Sequence, residues 1–119
     1  MNILAKLFGK KAAPTKNDQA VLVFLDGQCL PEEVYAEHDL ATLEDQLIKV
    51  IESQTLGEFD GNEIGEGEVV LYIYGPNAEA LFSGIEATLR TYPLCRNARV
   101  VIRQGNPGAA QRELRLPAA

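Results

Sequence analysis

Residues 57–68 read GEFDGNEIGEGE, five carboxylates and four glycines in twelve positions. Carboxylates at that density are the chemistry of hard cations, which take six or more oxygen ligands. Counted from Asp60 as a calcium loop, Asn62 at the third position and Gly65 at the sixth fit the pattern. Ile64 at the fifth and Leu71 at the twelfth carry no side-chain oxygen, so a helix–loop–helix calcium site is excluded. A looser Mg²⁺ or Ca²⁺ site from Glu58, Asp60, Glu63 and Glu66 is a minor reading beside that of a solvated acidic turn. No metal is assigned. Phosphate is a poorer fit, because the loop has no lysine, lacks the strand-to-helix glycine spacing and would repel an anion.

Other reactive residues are few. His38 stands between Glu37 and Asp39, but side chains adjacent in sequence rarely aim at one another, and no nucleophile is spaced to complete a triad. An ordinary exposed histidine is the simpler reading. Cys29 and Cys95 read as buried thiols rather than a disulfide, and nothing cationic near Cys29 in sequence would activate it. No His/Cys set has zinc spacing. The sequence names no catalytic residue and no cofactor, and the expectation is a protein that is not an enzyme.

A strand period gives a better lead. Over residues 69–74, Val69, Leu71 and Ile73 point one way while Val70, Tyr72 and Tyr74 point the other. If the aliphatic set lies under helices, Tyr72 and Tyr74 share the open sheet face, where Phe24 of a neighbouring strand joins them. Aromatics so placed stack bases in RNA-binding sheets, but the RNP pattern is missing and the body is acidic, so nucleic acid is disfavoured. An amphipathic aromatic patch suits protein association.

The elements that must hold these residues follow from periodicity. AVLVFLDG and EVVLYIYG are continuous apolar runs, read as central strands at 21–25 and 68–74. Leu40, Leu43, Leu47, Val50 and Ile51 recur at helical spacing after Asp39 or the Thr42–Asp45 pair, either of which can cap the start. Leu81, Phe82, Ile85 and Leu89 mark a second helix, capped by Asn77 and ended before Pro93, with Gly84 allowing close approach to the sheet. QCLPEEVYAEH reads as irregular. LGEFDG and ARVVIRQG are half-polar and are expected as opposite edge strands, an acidic one and an arginine-bearing one. The order βαββαβ predicts an α+β, ferredoxin-like two-layer sandwich with antiparallel sheet order 4-1-3-2. Residues 1–19 form a basic segment and linker, 20–104 the domain, and 105–119 a C-terminal extension that could add a short fifth strand.

The stretch DGNEIGEGEVVLYIYGPNAEALF resembles segments of small bacterial proteins of unknown function. The resemblance covers about half of the chain; it implies a bacterial origin and no activity.

Charge narrows the partners. The net charge of −6 divides into +3 over residues 1–19, −14 over 20–89 and +5 over 90–119. An acidic body repels phosphate backbones and favours basic partners, or a second copy that meets its oppositely charged parts. No apolar run is long enough to span a bilayer, and residues 1–11 are too short and lysine-poor for more than weak lipid contact. A cytoplasmic location is expected, since the N-terminus lacks the apolar core of a signal peptide. The favoured reading is a binding or regulatory module that associates with protein through Phe24, Tyr72 and Tyr74, as a homodimer or with another chain. The alternative is an acidic, immunity- or inhibitor-type protein whose 58–68 hairpin engages a basic partner.

Overall fold

A computed structural model describes residues 17–117. The basic segment expected over 1–19, with the lipid contact considered for 1–11, therefore lies almost wholly outside the described residues. Five strands, β1 (Gln19–Asp26), β2 (Glu58–Gly65), β3 (Glu68–Gly75), β4 (Arg99–Arg103) and β5 (Gln111–Arg115), form one antiparallel sheet. Three helices accompany it, α1 (Glu32–Glu37), α2 (Leu40–Ser53) and α3 (Ala78–Thr91), with a 3-10 turn at Pro93–Cys95. No helix among the described residues is long and apolar enough to cross a membrane.

The two apolar runs become neighbours at the middle of the sheet, with Val21 opposite Ile73 and Val23 opposite Leu71. Helices α2 and α3 cover the face those residues present. Leu43, Leu47 and Ile51 of α2 and Leu81, Ile85 and Leu89 of α3 are at most 1% exposed and share one core with Val21, Val23, Leu71, Ile73, Val100 and Ile102. Each such side chain contributes about 1.5–3 kcal/mol by leaving water. No polar or charged side chain among the described residues is buried. The Asn77 side chain accepts a hydrogen bond from the Ala80 amide at 3.0 Å, so the cap expected at the start of α3 is made. Asp39 sits at the N-cap position of α2 but its side chain makes no capping bond.

The sheet order is β2-β3-β1-β4-β5; read from the other end, the four expected strands stand as 4-1-3-2 and a fifth is added beyond β4. The C-terminal extension supplies the difference. β5 pairs with β4 along its length, from Arg99 opposite Arg115 to Arg103 opposite Gln111. Beyond it, Leu116 enters the main core at 2% exposure and its amide bonds the Ala98 carbonyl at 2.8 Å. β4 is thus an interior strand, and the edge role expected for its arginines is overturned. β2 does lie at an edge, as a longer strand than its apolar content suggests, with an irregularity between Phe59 and Gly61.

Three smaller corrections follow. Residues 32–37 are helical rather than irregular, since Pro31 stands at the N-cap position, outside the turn it would break. Cys29 is exposed, in a turn whose amides at Gln28 and Cys29 bond the Asp26 carboxylate; Cys95 is buried. Gly84 makes room for the Leu56 side chain in the α2–β2 link rather than for the sheet.

Candidate functional site

Strand alternation sends every second side chain away from the helices, and the pairing register lines these into rows across all five strands. The first row runs Glu63, Val70, Phe24, Arg99, Arg115. The second runs Gly61, Tyr72, Leu22, Val101, Glu113, and the third Glu58, Tyr74, Ala20, Arg103, Gln111. Phe24, Tyr72 and Tyr74 therefore share one face, as their spacing implies, with Phe24 one row from Tyr72. Leu22, Phe24, Val70, Tyr72 and Tyr74 are half-buried, and Ala20 and Val101 between them are buried yet belong to neither core cluster. Among the described residues no helix packs on this face: the helices' core partners on the sheet all point the other way.

The centre of the face is apolar and aromatic, and its two flanks carry opposite charge. On the β2 side stand Glu58 and Glu63; on the β4–β5 side stand Arg99, Arg103 and Arg115 against one carboxylate, Glu113. The Tyr72 hydroxyl donates to Glu63 Oε1 at 2.7 Å, and this bond to a carboxylate holds the phenol above its usual pKa. Opposite it, the Arg99 guanidinium lies 3.9 Å from the Phe24 ring centroid and bonds Glu113 at 3.1 Å. Arg103 Nε donates to the Gly105 carbonyl and Arg115 to that of Asn97. The carbonyl bonds fix the direction of Arg103 and Arg115 without neutralising them, while Arg99 is paired with Glu113.

The acids of the 57–68 segment do not converge. Glu58 and Glu63 stand on the face in different rows, while Asp60 falls within the irregularity and Glu66 in the turn. Asn62 points to the helix side, where it bonds Glu44 of α2. No group of three or more His, Cys, Asp or Glu side chains able to hold a metal ion is present among the described residues. Nor do Glu37, His38 and Asp39 act together: the His38 ring is half-buried and meets Tyr92 edge-on at 5.8 Å, and the Tyr92 hydroxyl bonds the Asp39 carbonyl. A cavity of about 110 Å³ between the end of α3 and Leu116–Pro117 is well short of the roughly 300 Å³ at which small-molecule sites begin.

Sequence reasoning missed half of the face. Leu22 and Val101, with Arg99, Arg103 and Arg115, are as much a part of it as the aromatics. The alternation of Arg99, Val101 and Arg103 against Val100 and Ile102 was the available signal. What it lacked was the pairing of β5 with β4: with β4 taken as an edge, its arginines read as edge residues and not as part of the face.

Comparison with known proteins adds no relative. No protein-family model matches the chain, and searches of curated proteins and of solved structures give no significant match.

Proposed function

We propose that this chain is a protein-association module that works through the helix-free face of its sheet, centred on Phe24, Tyr72 and Tyr74. The observation that carries the reading is a band of aromatic and aliphatic side chains crossing β3, β1 and β4 on the side away from the helices. Tyrosine suits such a surface, because its ring buries apolar area while its hydroxyl keeps a polar partner. The sandwich it belongs to is of the ferredoxin-like kind extended by one strand, and that architecture hosts many functions, so the claim rests on the face and not on the fold.

The test is a photo-crosslinking benzoylphenylalanine in place of Tyr74, activated in cells. A protein adduct at that position is expected; no protein adduct, or adducts to nucleic acid alone, overturns the reading. A second reading, a basic partner held by the 58–68 hairpin, is favoured by Ile64, which is 70% exposed beside Glu63, Glu66 and Asp60. An exposed aliphatic side chain on an acidic hairpin offers a basic partner an apolar contact beside its ion pairs. The same crosslinker placed at Ile64 separates the two: adducts there and none at Tyr74 move the site to the hairpin.

A further inference from the structure

On the face, Glu58 and Glu63 stand on β2, two strands from β1, and the arginines on β4 and β5, one and two strands from β1 on the other side, and that pattern selects a partner. We propose that the face binds a second copy of this chain, related by a twofold axis parallel to the strands and passing over β1. The proposal rests on the association reading above and names its occupant.

Two identical sheets can meet face to face about an axis along the strands or an axis across them. Rotation along the strands exchanges the flanks and keeps the rows. Glu63 of one copy then meets Arg115 of the other, with Arg99 beside it. Tyr74 meets Arg103, Tyr72 meets the smaller Val101, Val70 meets Arg99 and Glu113 meets Gly61, while Phe24, Leu22 and Ala20 meet their own equivalents at the axis. Asp26 also meets its equivalent, at the rim of the face, where its carboxylate is held by the Gln28 and Cys29 amides. Glu58 meets Gln111, with Arg103 adjacent. Rotation across the strands keeps the flanks and exchanges the rows, so Glu63 meets Glu58 and Arg99 meets Arg103. Like charges opposed in a desolvated interface cost several kcal/mol, which removes this arrangement. The first arrangement leaves the two sheets with their strands aligned, offset by the roughly 30° that sheet twist imposes.

Size agrees with an equilibrium dimer. Five strands at about 4.8 Å spacing and six residues at about 3.3 Å rise give a face of roughly 24 by 20 Å. That is about 480 Å² per partner, well under the ~800 Å² of a standard interface, so a weak, reversible dimer is expected. Large-on-small contacts at Tyr72 and Val101 and a ring–guanidinium contact at Tyr74 and Arg103 supply shape and specificity in the middle.

Sedimentation equilibrium of the full chain tests this with two charge-reversed variants, E58K/E63K and R103E/R115E. Wild type is expected to dimerise, each variant alone to be at least tenfold weaker, and an equimolar mixture to recover the dimer because its flanks are again opposite. A monomeric wild type, variants that dimerise as wild type does, or a mixture that stays monomeric each overturns the proposal. Should either reversal fail to give a cooperative melt, E58Q/E63Q replaces it, with a several-fold weaker dimer expected and an unchanged one overturning. The outcomes also divide this inference from the one beneath it. A monomeric wild type whose Tyr74 crosslinker traps a different protein refutes the second copy and keeps the association face; no protein adduct at Tyr74 removes both.

Discussion

Leu116→Ala asks whether the C-terminal extension is part of the core or an appendage. Leu116 follows β5, is 2% exposed and lies in the same cluster as Leu89, Ala98 and Val100. Its amide bonds Ala98, and the neighbouring Pro117 carbonyl accepts from Asn97, so the backbone holds the side chain in place. Removing three carbons at about 0.8 kcal/mol each gives a transfer loss of about 2.4 kcal/mol. The cavity left behind adds to that where the surroundings cannot close, which takes buried Leu→Ala changes to ~2–5 kcal/mol. A site near the chain end collapses more readily than the sheet centre, so the lower part of that range applies. We expect a loss of about 2–3 kcal/mol, or roughly 8–12 °C in Tm for a domain of this size. The assay is urea unfolding followed by far-UV circular dichroism, since the chain has no tryptophan. Protein concentration is held fixed, because self-association would add to apparent stability. Ile64→Ala is the control, a residue of similar chemistry that is 70% exposed. A Leu116→Ala protein as stable as Ile64→Ala would refute the packing argument and return β4 to the sheet edge.

Three further outcomes are expected. Burial pushes the Cys95 thiol up to about 12 from an ordinary value near 9, while Cys29 is exposed, so Ellman's reagent at pH 8 should titrate one thiol in the native chain and two after unfolding. Between those two values the unfolded chain has released the Cys95 proton and the folded chain has not. The unfolded state then binds fewer protons, and stability falls as pH rises through that window by up to about 1.4 kcal/mol per pH unit; a flat profile there in wild type, or an equal slope in Cys95→Ala, contradicts it. Gly57 has φ +148° and a side chain there would run into the Tyr74 carbonyl and the Gly75 Cα of the central strand. Gly57→Ala should cost about 2 kcal/mol or more in the same urea assay, against a few tenths for Gly65→Ala, whose nearest neighbour would be 4.0 Å away; equal costs would discount the strain.

Much of the architecture was legible because apolar periodicity is a local property. The runs at 21–25 and 68–74 read as central strands, and the stripes over α2 and α3 as the helix faces that cover them, since that arrangement buries those side chains. Asn77 announced the start of α3 in the same way, through a short side chain that accepts from an amide of its own first turn. The short helix after Pro31 was hidden, because its single buried residue, Val34, shows no period.

What the sequence by itself determined is the alternation on each strand: Tyr72 and Tyr74 away from Leu71 and Ile73, and Arg99 and Arg103 away from Val100 and Ile102. Only the tertiary structure set β5 beside β4, and so made the arginine-bearing strand an interior part of a continuous face with acid on one flank and arginine on the other. Strand neighbours are set by non-local pairing, whose energy depends on sequence-distant partners such as Leu22 with Tyr72 on one side and Val101 on the other. The same cause explains β5. QRELR has little apolar content of its own, and it becomes a strand because β4 offers it an edge and the core takes Leu116.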